Sequence, residues 1–179
     1  MLGATSRFGA CNSLRGEITS RILVAGIGNI FLGDDGFGPE VMRHVPQELA
    51  GPHVELVDYG IRGMHLAYDL LDGCDALVLV DAIPDNGAPG TVHVFEADHE
   101  SLAAAAGLDA HAMDPGAVFA SLNALGGTPP YTIVIGCEVA NVDEGIGLSD
   151  TVASAVPDAV RAIEDVLSEL LARTAVREG

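Results

Sequence analysis

The segment from Arg21 to Gly38 constrains the fold of this chain most. An apolar, partly β-branched run, Arg21-Ile22-Leu23-Val24-Ala25, passes directly into Gly26-Ile27-Gly28-Asn29, and Gly33-Asp34-Asp35-Gly36 follows. Such a run reads as a strand buried on both faces, the pattern of a parallel sheet. Its end opens onto the crevice where open α/β sheets bind ligands, and glycines there let a ligand or another peptide backbone approach closely. A helix is expected next, because Phe37, Val41 and Val45 recur every fourth residue and Pro39 falls in the first turn, where its missing N–H costs nothing. Pro46 helps to stop it.

The same alternation continues along the chain. Val54 to Val57 reads as a second strand ending at Asp58, and Met64, Tyr68 and Leu71 supply the apolar face of a second helix. Asp75 to Val80 is a third strand closed by Asp81, and Thr91 to Phe95 alternates like a strand with one wetter face. Asp114-Pro115 has the form of an N-cap followed by a first-turn proline, with Val118, Leu122 and Leu125 as the stripe behind it. Tyr131 to Gly136 is a further buried strand, and Asp150 to Ala172 reads as one long amphipathic helix. The fold class expected is therefore α/β: a single domain with a mostly parallel, twisted sheet of about five strands sandwiched by helices, Thr91 to Phe95 being the candidate antiparallel member. Residues 1–20 are expected to be a loose extension, 21–172 the domain and 173–179 a tail.

Composition narrows the function classes. The chain has 179 residues, 49% of them hydrophobic, enough for one core. Its 8 Lys and Arg stand against 26 Asp and Glu, a net charge of −18 that repels phosphate backbones and anionic headgroups, so neither nucleic acid nor a membrane surface is an expected partner. No apolar stretch approaches the roughly 18 residues of a membrane span, and the first 20 residues lack an apolar signal core. Cys11, Cys74 and Cys137 are odd in number and widely spaced, which points away from a disulfide framework or zinc knuckle and toward the cytoplasm.

In a mostly parallel sheet, Asn29 to Asp35, Asp58 and Asp81 all follow strand ends and share one edge. Asp35 lies near a helix N-terminus, which favours an ionised carboxylate. Asp34 is assigned to local capping, while Asp35 and Asp81 are each open to a structural or a functional role. His111, just ahead of a helix, would complete an O,O,N set suited to a first-row divalent metal with open positions. His44, His65 and His93 fall on two helices and a strand, away from that edge. A dinucleotide site is the competing reading, since Gly26-Ile27-Gly28 and Asp58 mimic part of its fingerprint. The third glycine position is Phe31, however, and Asp58 lies beyond the roughly 20 residues expected.

Taken together, Gly26 to Gly38, Leu56-Val57-Asp58-Tyr59-Gly60, Leu77 to Ile83, Ala88-Pro89-Gly90-Thr91 and Gly145 to Ser149 resemble the hydrogenase maturation proteases, over Arg21 to about Leu170. These proteases trim the C-terminus of the large subunit of nickel-iron hydrogenases. The resemblance implies a twisted sheet between helices and metal-facing positions at Asp35, Asp81 and His111, with Asp35 and Asp81 as the catalytic candidates. The glycines of Gly26 to Gly38 then read as clearance for a substrate peptide. His111 lacks the Ser that often stands two residues before it in relatives, and Glu138-Val139 replaces a common Pro.

What the resemblance further implies is an endopeptidase acting once per substrate molecule, after nickel insertion. The nickel would be supplied by the large-subunit precursor and not held permanently, and the enzyme is expected as a cytoplasmic monomer. Two alternatives carry different signatures. A non-catalytic nickel-sensing chaperone would form a stable complex with the uncut precursor, and an independent metal-dependent amide hydrolase would carry its own metal and need no protein partner.

Overall fold

The computed structural model describes residues 21–100 and 115–177. Five strands form one sheet: β1 (Ile22–Ile27), β2 (Val54–Gly60), β3 (Ala76–Ile83), β4 (Val92–Glu96) and β5 (Tyr131–Glu138), in the order β2-β1-β3-β5-β4. All neighbouring strands run parallel except β4, which pairs antiparallel with β5. The helices are α1 (Phe37–His44), α2 (Gly63–Leu71), α3 (Pro115–Ala124), α4 (Asp150–Ala153) and α5 (Val156–Arg177). The expected α/β sandwich with one antiparallel strand is what the chain forms.

The period of two along β1 and β3 splits the core between the sheet's faces. Ile22, Val24, Val78 and Val80 pack with Phe37 and Val41 of α1 and with Ile163 and Leu167 of α5. Leu23, Ala25, Ile27, Leu77 and Leu79 turn the other way, against Leu66 and Leu70 of α2 and Val118, Phe119 and Leu122 of α3. Each Val, Leu, Ile or Phe side chain so removed from water contributes about 1.5–3 kcal/mol. No helix among the described residues is long and apolar enough to cross a membrane. Burial pushes the thiols of Cys74 and Cys137 up to about 11, and both are free; Cys11 lies outside the described residues.

Four element expectations need correction. The buried stripe of α2 is Gly63, Leu66, Ala67 and Leu70, while Met64, Tyr68 and Leu71 are exposed. Both sets have helical spacing, offset by one residue, and only contact with the sheet selects between them. In α3, Phe119 joins Val118 and Leu122 inside, while Leu125 falls just past the helix end and is exposed; Asp114 is outside the described residues. The single helix expected from Asp150 is two helices, since α4 ends at Ala153 and α5 starts at Val156. Strands β2 and β3 also run past their expected ends, so Asp58 and Asp81 lie inside strands.

Candidate active site

The link between β1 and α1 is built by glycines. A Cβ at Gly38 would collide with the backbone carbonyl of Ile27 and stand 2.5 Å from that of Val80. One at Gly26 would run into Met42 of α1 and lie 2.8 Å from the Gly38 carbonyl, and one at Gly28, with φ +139°, would strike the carbonyl of Asp35. The start of α1 is thus seated directly on the ends of β1 and β3. The clearance expected for a substrate peptide is occupied by the chain's own backbone at these three positions, which corrects that reading.

This seating carries Asp35 to the carboxyl edge of the sheet, on the short 3₁₀ turn Gly33–Gly36 that precedes α1. Asp35 is half-buried and its Oδ2 accepts the Asn29 N–H at 2.9 Å, closing the loop that leaves β1. Asp81 reaches the same edge from the adjacent strand, because Gly26 pairs with Val80 in the β1–β3 register. The residue is 6% exposed, and its Oδ1 accepts the N–H of Ala82 at 2.8 Å. Asp58 lies on the opposite neighbour of β1, exposed, with its Oδ1 accepting the Gly60 N–H at 2.9 Å in a local turn. That bond gives Asp58 a structural task.

His111 lies outside the described residues. Among the described residues, no three His, Cys, Asp or Glu side chains are grouped to hold a metal ion.

Asp34 departs from its expected role. It is fully buried and makes no cap to its own turn. Its Oδ2 accepts the N–H groups of Ala140 and Asn141, each at 2.8 Å, and the Ser149 hydroxyl at 2.9 Å; its Oδ1 accepts the Ser149 N–H at 2.7 Å. Burial alone would raise this carboxyl, but the bonds from Ser149, Asn141 and Ala140 outweigh it and hold it below the ordinary carboxylate range. The loop after β5 is thereby tied to the turn that carries Asp35. Capping propensity identified Asp34 as structural but could not reveal partners more than a hundred residues away.

A third buried carboxylate, after Asp34 and Asp81, was missed in the sequence. Glu138, the last residue of β5, is 3% exposed. It accepts the N–H groups of Asn86 at 2.8 Å and Ala88 at 3.0 Å, and its Oε1 lies 2.7 Å from His93 Nε2. The bonds from Asn86, His93 and Ala88 hold its carboxyl below the usual range. Glu138 thus fixes the loop between β3 and β4, which begins just past Asp81. The available signal was its place after the apolar run Tyr131 to Cys137, the same signal that singled out Asp81.

Comparison with known proteins decides the family. A model of the family described as hydrogenase maturation protease matches residues 39–166. This chain is a member of the hydrogenase maturation protease family. The hydrogenase 2 maturation protease of Escherichia coli is 30% identical over 152 residues, covering 84% of this chain and 90% of that one. Among solved structures, the hydrogenase maturating endopeptidase HybD from Escherichia coli superposes with a TM-score of 0.68 at 28% identity, over 83% of this chain and 93% of that one. The hydrogenase maturation protease HybD from Thermococcus kodakarensis gives 0.63 at 26% identity, over 82% and 99%. Membership makes this chain a peptidase with the fold of those maturation proteases.

Proposed function

We propose that this maturation protease removes a short C-terminal peptide from the nickel-loaded precursor of a nickel-iron hydrogenase large subunit. The observation that carries the reading is that Asp35, on the turn between β1 and α1, and Asp81, near the end of the adjacent parallel strand β3, lie at the same edge of the sheet, in a chain of this family. Relatives named as hydrogenase maturation proteases support the substrate class.

Asp35, Asp81 and His111 would meet nickel already bound by the precursor, so the metal belongs to the substrate. Two carboxylates and an imidazole form a donor set for a first-row divalent ion that leaves positions open to ligands from the substrate. A water polarised by that nickel, or activated by an Asp carboxylate, attacks the scissile carbonyl, and the cleaved tail leaves as a free amine. The Asn29 N–H donates to Asp35 Oδ2 and the Ala82 N–H to Asp81 Oδ1, so both carboxylates are positioned by neighbouring backbone. Nickel in the precursor then licenses cleavage, and the chain works in the cytoplasm as a monomer.

Size-exclusion chromatography of the chain mixed with nickel-loaded precursor tests the catalytic reading against a chaperone. Processing gives a shortened product that separates from the protease. A persistent complex containing full-length precursor would contradict it.

A further inference from the structure

The loop leaving β1 and the loop following β5 are joined by backbone pairing above the Asp34 clamp. Leu32 and Gly145 form an isolated parallel bridge; the Gly33 N–H donates to the Gly145 carbonyl at 3.0 Å, and the Gly145 N–H to the Phe31 carbonyl at 2.9 Å. The Asp34 N–H adds a bond to the Asn141 carbonyl at 2.8 Å. Loops tied this firmly nevertheless turn large apolar side chains to solvent: Ile30 is 47% exposed, Phe31 58%, Val142 50% and Ile146 79%. Exposed apolar residues are unremarkable singly, but four on two paired loops beside a catalytic edge mark a recognition surface.

Charge gives the surface its second property. Asp143 and Glu144 stand exposed between Val142 and Ile146, and neither 22–42 nor 131–160 contains a Lys or Arg. We propose that Ile30, Phe31, Val142 and Ile146 form a preorganised rim that docks an apolar segment of the protein substrate bearing an adjacent basic residue. The proposal rests on the reading that the chain processes a protein substrate. The rim is continuous with the turn that carries Asp35, so a segment lying on it leads into the site. Backbone pairing between the loops holds the rim in its presenting geometry before the substrate arrives, which reduces the ordering cost of binding.

The test has two arms. In the first, amide shifts of the isotopically labelled chain are mapped on adding a capped Leu-Val-Arg-Lys-Leu peptide or its Leu-Val-Glu-Glu-Leu counterpart. The basic peptide should shift the amides of Ile30, Phe31, Val142 and Ile146, and the acidic one should leave them in place. Equal shifts from both peptides, or none at these amides, overturn the proposal. In the second arm, the paired change Phe31→Ser and Ile146→Ser should raise KM for precursor processing about tenfold and leave kcat within twofold. Leu171→Ser, an exposed apolar residue on α5, should change neither. Should the paired variant fold poorly, Asp143→Lys with Glu144→Lys must raise KM in the same way. Unchanged KM overturns the docking rim while leaving proteolysis standing. Absence of cleavage by the unmodified chain would instead sink the proteolytic reading, and the peptide shifts would still decide the rim.

Discussion

Asp34 and Ser149, 115 positions apart in the chain, are joined twice: the Ser149 N–H reaches Asp34 Oδ1 at 2.7 Å and its hydroxyl reaches Oδ2 at 2.9 Å. The same Ser149 hydroxyl accepts the Val152 N–H at 3.4 Å as the N-cap of α4. One contact therefore joins the turn carrying Asp35, the loop after β5 and the start of the C-terminal helices.

Asp34→Ala should cost about 2–4 kcal/mol of folding stability, because it strands the N–H groups of Ala140, Asn141 and Ser149 without their acceptor. Urea unfolding measures this as a lowered midpoint at unchanged slope. A loss under 0.5 kcal/mol would show that the clamp contributes little.

Acid should unfold the chain through the same carboxylates. Asp34 and Glu138 are held below the ordinary carboxylate range in the folded state, so the unfolded chain takes up protons first as pH falls. Their stabilisation is complete above the unfolded values near pH 4 and disappears as pH drops through the folded ones. Thermal melting should hardly change from pH 7 to about 5 on their account and fall steeply below about pH 4. In Asp34→Asn that acid slope should be shallower.

Gly38→Ala should destabilise the fold by at least about 2 kcal/mol, since its Cβ meets the backbone carbonyls of Ile27 and Val80, which cannot rotate aside. Gly51→Ala, with nothing within 4 Å of its Cβ, is the matched control and should melt near the unmodified chain. Equal melting of both variants would contradict the close seating of α1.

Much of the fold was legible because β1, β3 and β5 are built on short apolar runs bounded by Gly or Asp, and because parallel strands buried on both faces have few other arrangements. The face of α2 was not, since Met64, Tyr68 and Leu71 repeat with the same period as Leu66, Ala67 and Leu70, and only the sheet breaks the tie. At the site, position after apolar runs made Asp35 and Asp81 candidates but left each open to a structural role, and only the resemblance to the maturation proteases favoured the functional one. The tasks of Asp34 and Glu138 could not, because their partners are backbone N–H groups of distant loops, to which local spacing is blind. Likewise, the glycines of Gly26 to Gly38 announce close approach without saying to what.

Asp35→Asn and Asp81→Asn should each abolish tail removal while leaving circular dichroism and melting close to those of the unmodified chain, because an amide keeps most of the shape but loses the charge offered to a metal or a water. His111→Ala should behave alike. Full processing by any of the three would remove that residue from the proposed machinery.

The central claim is tested most directly by the intact mass of the hydrogenase large-subunit precursor, in nickel-loaded and nickel-free forms, before and after incubation with this chain. The account predicts that the nickel-loaded precursor loses the mass of a short C-terminal peptide and the nickel-free precursor keeps its full mass. An unchanged mass for the nickel-loaded form, or equal shortening of both, would contradict it.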